Sequence, residues 1–189
     1  EARVLMLSAN NLLKPADGSP IVVNDPRDIS LGCFYLTKIV HNDDEKKLKA
    51  FSSPAEARMA YEYGQIGLHE AVRIRIDGKL ELATAGRVIF NDVLPEGVPF
   101  VNTLVDKSVI QSVTTDVHKR FGNRKTAEFV DGVKTLGFEY ATKSGVSVAM
   151  VDVVVPPQKQ ELIGKAQIEV EKVLQQYAHG VITEGERYN

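Results

Sequence analysis

The segment that most restricts the fold is residues 72–83, where apolar and charged side chains alternate around a central turn. Residues 72–76 read VRIRI, which places three apolar side chains on one face and two arginines on the other. Asp77-Gly78 is a dipeptide typical of tight turns, and leucines alternate again over residues 80–82. The sequence therefore predicts a β-hairpin, so the fold must contain an antiparallel pair of strands.

Helical signals precede this hairpin. Residues 4–13 and 29–40 are apolar runs that predict helices, the second of them capped by Asp28. Ser53 is followed by a proline and, three residues after the serine, by Glu56. This pattern of cap, proline and first-turn acid predicts that a third helix begins there.

Two further helices are predicted after Pro99, each with apolar residues on one face at three- and four-residue steps. The face of the first helix consists of Ile110, Val113, Val117 and Phe121. The second helix, capped by Thr126, has the face Phe129, Val133, Leu136 and Tyr140. Both helices are therefore expected to pack against other elements.

The last predicted helix runs from Pro157 to about residue 177, with its apolar residues at the narrow spacing of a two-helix coiled coil. Gly180 lies where a helix commonly ends, and Thr183 with Glu186 forms a capping box for another helix. Short strands are predicted at 21–23 and 151–155. The predicted fold class is α+β: mixed helices with a β-hairpin and short strands, ending in a projecting, truncated antiparallel helical hairpin.

The composition argues against several classes of protein. The chain has 23 Lys and Arg against 25 Asp and Glu, a net charge of −2, whereas a free-standing nucleic-acid binder needs clustered basic residues. Cys33 is the single cysteine, so an intramolecular disulfide is impossible and a reducing cytosol fits best. No apolar stretch reaches the roughly 20 residues that cross a bilayer.

No catalytic centre is identified by spacing alone. The four histidines lie in separate contexts, which favours surface or structural roles. Residues 143–147 (KSGVS) offer backbone N–H groups and a cation, as an anion site would, although on sequence alone a plain turn is the better interpretation. Arg73, Arg75 and Arg87 are interpreted as solvent-facing residues of a strand or helix.

Three segments together resemble the beta-prime subunit of bacterial RNA polymerases. They are EARVLMLSANNLLKPADGSPIVV at residues 1–23, TAGRVIFNDVLPEGVPF at 84–100, and the order of elements over residues 136–189. Because these segments follow one another as in that family, the resemblance extends over nearly the whole chain. It implies a pore, or secondary-channel, domain at 1–156 and the first rim helix with a truncated hairpin tip at 157–189.

In the polymerase family, the catalytic Mg²⁺ is bound by aspartates of a loop that would precede residue 1. The resemblance therefore implies no catalytic residue and no metal ligand in this chain. It implies instead that the chain lines the secondary channel, through which nucleotides enter and backtracked RNA leaves. The implied channel residues are Asn10, Asn11, Arg27, Asp28, Lys143, Ser144, Gly145 and Ser147. The implied rim positions, which bind secondary-channel factors of the Gre and DksA type, are Glu186, Arg187, Tyr188 and Asn189.

The resemblance further implies a cytoplasmic DNA-directed RNA polymerase, a nucleotidyltransferase in which the beta, alpha and omega subunits, the DNA template and RNA are the partners. No membrane partner is implied, and the isolated chain is expected to be inactive. Two other hypotheses stay open. One is an autonomous protein-interaction module with a coiled-coil arm, which a reading frame starting and stopping at these ends would favour. The other is a small hydrolase or transferase that uses Ser144 with a histidine.

Overall fold

The computed structural model describes residues 1, 5–14, 16, 18–20, 27–40 and 48–188, with the side chain of Arg27 excepted. Over these ranges the chain forms six α-helices and one three-stranded sheet, which confirms the α+β class. The chain divides into two compact units, Glu1–Val146 and Ser147–Asn189, while the domain division at 156–157 stays a prediction. The strand predicted at 21–23 lies outside the described residues. None of the described helices is long and apolar enough to span a membrane.

The helix predicted at 4–13 is only partly formed in its described residues, of which 5 and 6 lie in a π-helical turn. A short 3₁₀ turn forms at Ser8–Asn10, and Leu13 pairs with Pro20 in an antiparallel bridge. The side-chain amide of Asn11 donates to two backbone carbonyls earlier in the chain, at 2.8 and 3.0 Å. Because this side chain satisfies carbonyls that a continuing helix would use, the chain turns here.

Helix α1 (Arg27–Thr37) is shifted from the predicted range of 29–40. Asp28 lies inside the first turn rather than at the N-cap, where its carboxylate still interacts favourably with the positive end of the helix dipole. The helix ends at Thr37, before the predicted end at residue 40, because the backbone after it pairs with another segment. The backbone N–H of Val40 donates to the carbonyl of His69 at 2.9 Å.

Helix α2 (Pro54–Glu62) confirms the predicted start. The Ser53 hydroxyl accepts a hydrogen bond from the backbone N–H of Glu56 at 3.3 Å. The Glu56 carboxylate in turn accepts from the hydroxyl of Ser52 at 2.7 Å and from its N–H at 2.6 Å. These bonds, the hydroxyl bond first, lower the pKa of Glu56 from its ordinary value, because they stabilise the ionised carboxylate.

The predicted hairpin is confirmed. Strand β1 (Ala50–Phe51) pairs in parallel with β2 (Val72–Ile76), which pairs antiparallel with β3 (Lys79–Ala83). Asp77 has a φ of 48° and Gly78 a φ of 81°, the two positive values that a type I′ turn requires. The three apolar side chains of β2 are buried and its two arginines are exposed, as predicted.

Helix α3 (Ala85–Asn91) lies between the two hydrophobic cores of the first unit. The Thr84 hydroxyl caps it by accepting from the N–H of Arg87 at 3.2 Å. Phe90 belongs to one core and Val88 to the other. Because the helix contacts a core on each side, nearly all of its residues are buried.

The two helices predicted after Pro99 are confirmed; they follow one another directly and together form α4 (Lys107–Ser144). The kink is at Gly122, with φ 72° and ψ −175°, a conformation that glycine adopts without a steric penalty. Thr126 is not a cap; its hydroxyl donates to the carbonyl of Gly122 at 2.9 Å inside the helix. Phe121 remains 37% exposed. The buried members of the two predicted faces are Ile110, Val117, Phe129, Val133 and Tyr140.

Helices α1 and α4 pack with their backbones in contact. A methyl group on Gly32 would lie 1.8 Å from the carbonyl oxygen of Gly137, and one on Gly137 would lie 2.7 Å from the Cα of Ile29. Glycine at both positions is therefore what allows this close crossing. The core that surrounds it contains Ile29, Cys33, Leu36, Phe90, Val105, Ile110, Val117, Phe129, Val133 and Tyr140.

Cys33 has no solvent-exposed surface, and burial raises the pKa of its thiol to about 12. Because the thiolate is the reactive form, we expect no reaction with an aromatic disulfide reagent at about pH 8 until urea unfolds the chain. The unfolded thiol has its ordinary pKa of about 9, so above that pH unfolding releases a proton and this group's contribution to stability falls as pH rises.

The measurement is the absorbance of released aromatic thiolate, with and without urea. A Ser112→Cys variant is the control, because residue 112 is exposed and its thiol should react in the folded chain. Equal reaction rates for Cys33 in the folded and unfolded chain would contradict its buried position.

The strand predicted at 151–155 is wrong. Met150–Asp152 is a 3₁₀ turn, and the valines at 153, 154 and 155 are exposed. A β-branched run becomes a strand only when a neighbouring strand pairs with it, and the described residues provide no such neighbour here.

The predicted order of helix, turn and helix is confirmed in the second unit by α5 (Lys159–Ala178) and α6 (Glu184–Tyr188). Gly180 has a φ of 70°, and the backbone N–H groups of Gly180 and Val181 donate to carbonyls in the last turn of α5, both at 2.9 Å. This pair of bonds is the Schellman motif that commonly ends a helix.

Candidate functional site

Two groups of predicted channel residues lie where α1 crosses α4. A methyl group on Gly32 would lie 2.8 Å from the backbone nitrogen of Ala141, so α1 contacts the last two turns of α4. Arg27 and Asp28 form the start of α1, and the Asp28 side chain is exposed. Lys143 lies in the last turn of α4. The crossing therefore fixes the first turns of α1 against the end of α4.

Lys143 is engaged by residues of its own helix. Its ammonium group donates to the Glu139 carboxylate and lies 4.7 Å from the centre of the Tyr140 ring. The hydrogen bond with Glu139 is the main reason that the pKa of Lys143 is raised. Its side chain is 53% exposed, and exposed ion pairs contribute little free energy. A phosphate can therefore replace Glu139 as the partner of this cation at small cost.

The turn after Lys143 is a helix end. Gly145 has a φ of 62° and its N–H donates to the carbonyl of Thr142 at 3.2 Å, while the N–H of Val146 donates to the Ser144 hydroxyl at 3.3 Å. Both N–H groups are used internally, and the carbonyl end of a helix carries partial negative charge. The geometry thus favours the plain turn over the anion cradle, and leaves the Lys143 side chain as the positive group.

The hydroxyl of Ser144 is not paired with any histidine that the structure describes. It donates to the carbonyl of Ala141 at 2.7 Å. Among the described histidines, the Nε2 atom of His69 lies 2.6 Å from the carbonyl of Tyr35, and that of His118 lies 2.6 Å from the amide oxygen of Asn123. These contacts give no support to the hydrolase or transferase hypothesis.

The remaining predicted channel residues are exposed. The 3₁₀ turn that contains Asn10 packs against α4, and Asn11 follows it. Ser147 is exposed and is the first residue of the second unit. The described contacts therefore join the helices that carry the α1 and α4 candidates, through Ile29, Gly32, Gly137 and Ala141 rather than through the candidates themselves, while the turn of Asn10 contacts α4 separately.

Glu186, the first predicted rim residue, closes the capping box at the start of α6. Its carboxylate accepts from the N–H and from the hydroxyl of Thr183, both at 2.8 Å. In return, the Thr183 hydroxyl accepts from the N–H of Glu186 at 3.4 Å. The backbone bond, followed by the hydroxyl bond, lowers the pKa of Glu186. The capping box is therefore confirmed, and this carboxylate has a structural role.

The other rim residues differ in exposure. The guanidinium of Arg187 lies 4.8 Å from the centre of the Tyr177 ring, a cation–π contact that holds α6 against the last turns of α5. Arg187 also pairs with Glu184 at 3.7 Å. Tyr188 is 89% exposed, and Asn189 lies outside the described residues. Tyr188 is thus the described rim side chain most available to a partner.

Arg87 is buried, so its interpretation as a solvent-facing residue is wrong. Its Nε atom donates to the carbonyl of Thr37 at 3.2 Å. Its Nη1 atom donates to the backbone carbonyl of Asn102 at 3.1 Å and to the side-chain oxygen of that residue at 3.0 Å. Burial lowers the pKa of Arg87, because a low-dielectric environment disfavours the charged form.

Asn102 extends this arrangement into a network. Its side-chain amide donates to the Glu81 carboxylate and to the carbonyl of Leu82, both at 3.0 Å. The Thr37 hydroxyl accepts from the N–H of Val105 at 2.8 Å. Arg87 therefore ties together the end of α1, strand β3 and the segment before α4. The sequence contained a signal for this burial. The residues of α3 around Arg87 are apolar on all sides, which indicates a buried helix and therefore a buried arginine.

The described side chains do not form a metal site. Within the described ranges, no three His, Cys, Asp or Glu side chains come together as a possible metal site.

Comparison with known proteins identifies the family. Residues 11–153 match the family described as RNA polymerase Rpb1, domain 3. The chain belongs to this family. As an Rpb1 domain 3 member, it has α1 to α4 and the channel candidates from Asn11 to Ser147 inside the matched region, whereas Asn10 and the rim candidates lie outside it.

Full-length relatives align over the whole chain. It is 44% identical over 189 residues to the DNA-directed RNA polymerase subunit beta′ of Sulfurihydrogenibium sp. (strain YO3AOP1). Identity is 42% over 189 residues with the subunit beta′ of Pelotomaculum thermopropionicum and 43% over 191 residues with that of Thermodesulfovibrio yellowstonii. The chain spans 12%, 16% and 14% of these three relatives, respectively. The resemblance to the bacterial beta-prime subunit is confirmed, and the roles of individual residues stay predictions.

Proposed function

We propose that this chain is a segment of the beta-prime subunit of a bacterial DNA-directed RNA polymerase and forms part of the wall of its secondary channel. The observation that carries the proposal is the alignment of all 189 residues with beta′ subunits at 40 to 44% identity. In the complete cytoplasmic enzyme, the chain supports DNA-templated RNA synthesis, a nucleotidyl transfer. The Mg²⁺ that supports this chemistry is held by aspartates of another segment, so the isolated chain is inactive.

Backbone packing supports a structural role at the channel. The crossing of Gly32 with Gly137 has no side chains between the helices, so relative sliding of α1 and α4 is sterically restricted. A wall beside a reaction centre needs this rigidity, because small displacements of positioning groups lower the rate of a reaction. The exposed Asp28 and Lys143 lie on these two packed helices.

Lys143 is the residue we assign to RNA and nucleotides in the channel. Its cation is half exposed and is held by an i,i+4 pair with Glu139 and by the ring of Tyr140, both on its own helix. An RNA phosphodiester carries the same single negative charge as the carboxylate, and a nucleotide triphosphate carries more. Glu139 is itself exposed, so Lys143 can turn to either ligand without leaving a buried group unpaired. The neighbouring Ser144, Gly145 and Ser147 shape the turn through which this contact is made, and Arg27 with Asp28, Asn10 and Asn11 complete the proposed lining.

The tip formed by α6 is assigned to protein partners in the complete enzyme. Glu186 and Arg187 hold the tip together through Thr183 and Tyr177, which leaves Tyr188 projecting. Exposed tyrosine is frequent among residues that dominate binding energy at protein interfaces. We assign this tip to secondary-channel factors of the Gre and DksA type, while the beta, alpha and omega subunits, DNA and RNA contact the complete enzyme elsewhere.

The channel assignment is tested in a complete polymerase whose beta-prime subunit contains this chain and no other exposed cysteine. A Ser147→Cys variant is assembled on DNA with RNA that carries a thiol-reactive group at its 3′ end. We expect cross-linking to residue 147 in complexes that are backtracked by several nucleotides, and little in complexes paused at the active position. Cys33 should not react, because it is buried.

The control is Ser112→Cys, in the first half of α4, which we expect to stay unlinked in both states. Cross-linking that is equal at the two cysteines, or absent at residue 147 in a transcribing enzyme, would refute the channel role. The chain would still belong to the family, but the channel role would be lost.

A further inference from the structure

The outer face of the β-hairpin carries two different rows of side chains and is exposed except at Leu82, which is half-buried. Arg73 and Arg75 project from β2 on the side opposite its buried residues. In the register of the sheet, Arg73 is opposite Leu82 and Arg75 is opposite Leu80. Directly opposed residues share a face, so a row of arginines runs beside a row of leucines. Leu80 is 51% exposed, which is high for a large apolar side chain in a sheet.

These two arginines are unusual within the described part of the chain. Every other arginine whose side chain is described there has a hydrogen bond or an ion pair: Arg58, Arg87, Arg120, Arg124 and Arg187. The side chains of Arg73 and Arg75 have neither, although both are exposed. Arg75 also borders a cleft of about 350 Å³ with Glu96 and forms no ion pair with it. The face therefore presents two uncompensated positive charges.

The spacing of the rows suggests the shape of a ligand. Residues two apart on a strand are separated by about 6.8 Å, and the two rows by about 4.8 Å, the distance between paired strands. On an α-helix, side chains three or four residues apart lie about 5 to 6 Å apart along one face. A helix with carboxylates at such a spacing, and aliphatic residues beside them, matches both rows together.

We propose that the outer face of the hairpin, formed by Arg73, Arg75, Leu80 and Leu82, binds an acidic amphipathic helix of another protein. The carboxylates of that helix pair with the arginine forks, and its aliphatic residues cover the two leucines. Arginine is enriched at protein interfaces, since its planar fork pairs with a carboxylate through two parallel hydrogen bonds. The proposal concerns a face distinct from the channel residues and does not depend on the channel assignment.

A protein partner fits this face better than a nucleic acid does. Single-stranded nucleic acids are bound by stacking bases on aromatic side chains along a basic groove. This face has aliphatic leucines in place of aromatic residues, and two cations rather than an extended basic groove. Exposed leucine gains from burial against other apolar groups, which a protein helix provides and a phosphate backbone does not.

The test is a titration of the 189-residue chain with a synthetic helical peptide that carries glutamates four residues apart beside a row of leucines. Binding is followed by NMR shifts of the backbone amides. We expect shifts confined to β2, β3 and their turn. We also expect at least a tenfold loss of affinity for the Arg73→Glu/Arg75→Glu variant. A peptide with glutamine in place of glutamate should lose a similar factor.

The matched control is Lys38→Glu/Lys119→Glu, which changes the net charge equally at two exposed lysines of the same unit and should bind like the unchanged chain. A milder variant, Arg73→Gln/Arg75→Gln, serves if charge reversal disturbs folding. The proposal is overturned if the peptide does not bind at millimolar concentration, or if both double variants bind it equally. It is also overturned if single-stranded RNA binds this face more tightly than the peptide, or if sedimentation shows self-association through it.

Discussion

Replacing Arg87 by alanine is expected to lower the free energy of unfolding by about 3 to 5 kcal/mol. The substitution removes three hydrogen bonds and leaves the buried carbonyl of Thr37 and the half-buried carbonyl of Asn102 without these donors. Each unsatisfied buried polar group costs roughly 1 to 3 kcal/mol, and the cavity left by the side chain adds to that cost. The effect should also loosen β3, because Asn102 joins the arginine to Leu82.

The measurement is urea unfolding of the chain followed by circular dichroism, with the hairpin amides followed by hydrogen exchange. Arg75→Ala is the control for stability, since this arginine is exposed and unpaired, and we expect a change within about 0.5 kcal/mol. Arg87→Lys should recover little stability, because a lysine lacks the planar fork that reaches Thr37 and Asn102 together. Equal stability of the Arg87→Ala and Arg75→Ala variants would show that the network contributes nothing.

The second large effect is expected for Gly32→Ala, which should lower the free energy of unfolding by about 3 kcal/mol. The new methyl group would lie 1.8 Å from the carbonyl oxygen of Gly137 and 2.8 Å from the nitrogen of Ala141. Both are backbone atoms, so no side-chain rotation relieves the overlap and the two helices must separate. Separation would expose part of the core around Cys33.

Gly164→Ala is the matched control, because no atom lies within 4 Å of the position that its new methyl group would occupy in α5. Alanine favours a helix over glycine by about 0.5 to 1 kcal/mol, so this variant should be slightly more stable. The same urea experiment measures both variants. If Gly32→Ala is as stable as Gly164→Ala, the backbones of α1 and α4 do not touch. A faster reaction of Cys33 in Gly32→Ala would give independent support.

Features encoded by a few neighbouring residues were predictable from the sequence. The hairpin, the Ser53 cap of α2 and the capping box at Thr183 depend on side chains that interact within three or four positions along the chain. Their hydrogen bonds are the ones that the sequence pattern predicts. The family was predictable as well, because its three segments carry specific residues in order.

Features that depend on distant neighbours were not predictable from local patterns. The valines after Met150 favour a strand by propensity, but a strand needs a partner that the pattern does not reveal. Thr126 has the residue type of a cap, yet the second helix begins directly after Gly122, so Thr126 lies inside it. Charge alone suggests an exposed Arg87, although the apolar character of α3 on all sides points inward.

The candidate site likewise has some features that were predictable from the sequence and others that were not. The position of Lys143 at a helix end followed from the sequence, since Gly145 provides the left-handed cap. The crossing of α1 with α4 near that helix end did not follow from the sequence. Its only trace was a pair of glycines, Gly32 and Gly137, inside helical patterns, where an isolated glycine usually has a packing reason. A sequence pattern does not say which two glycines meet, so the crossing of α1 with α4 depends on the packing itself.

The reversal between α5 and α6 has a consequence for binding. Every hydrogen bond that shapes it joins residues within six positions of one another, from the Schellman motif at Gly180 to the carboxylate of Glu186. The tip is therefore preorganised by its own sequence, and a visiting protein does not have to order it. Little conformational entropy is then lost on docking, so substitutions at Tyr188 should act through the contacts they remove.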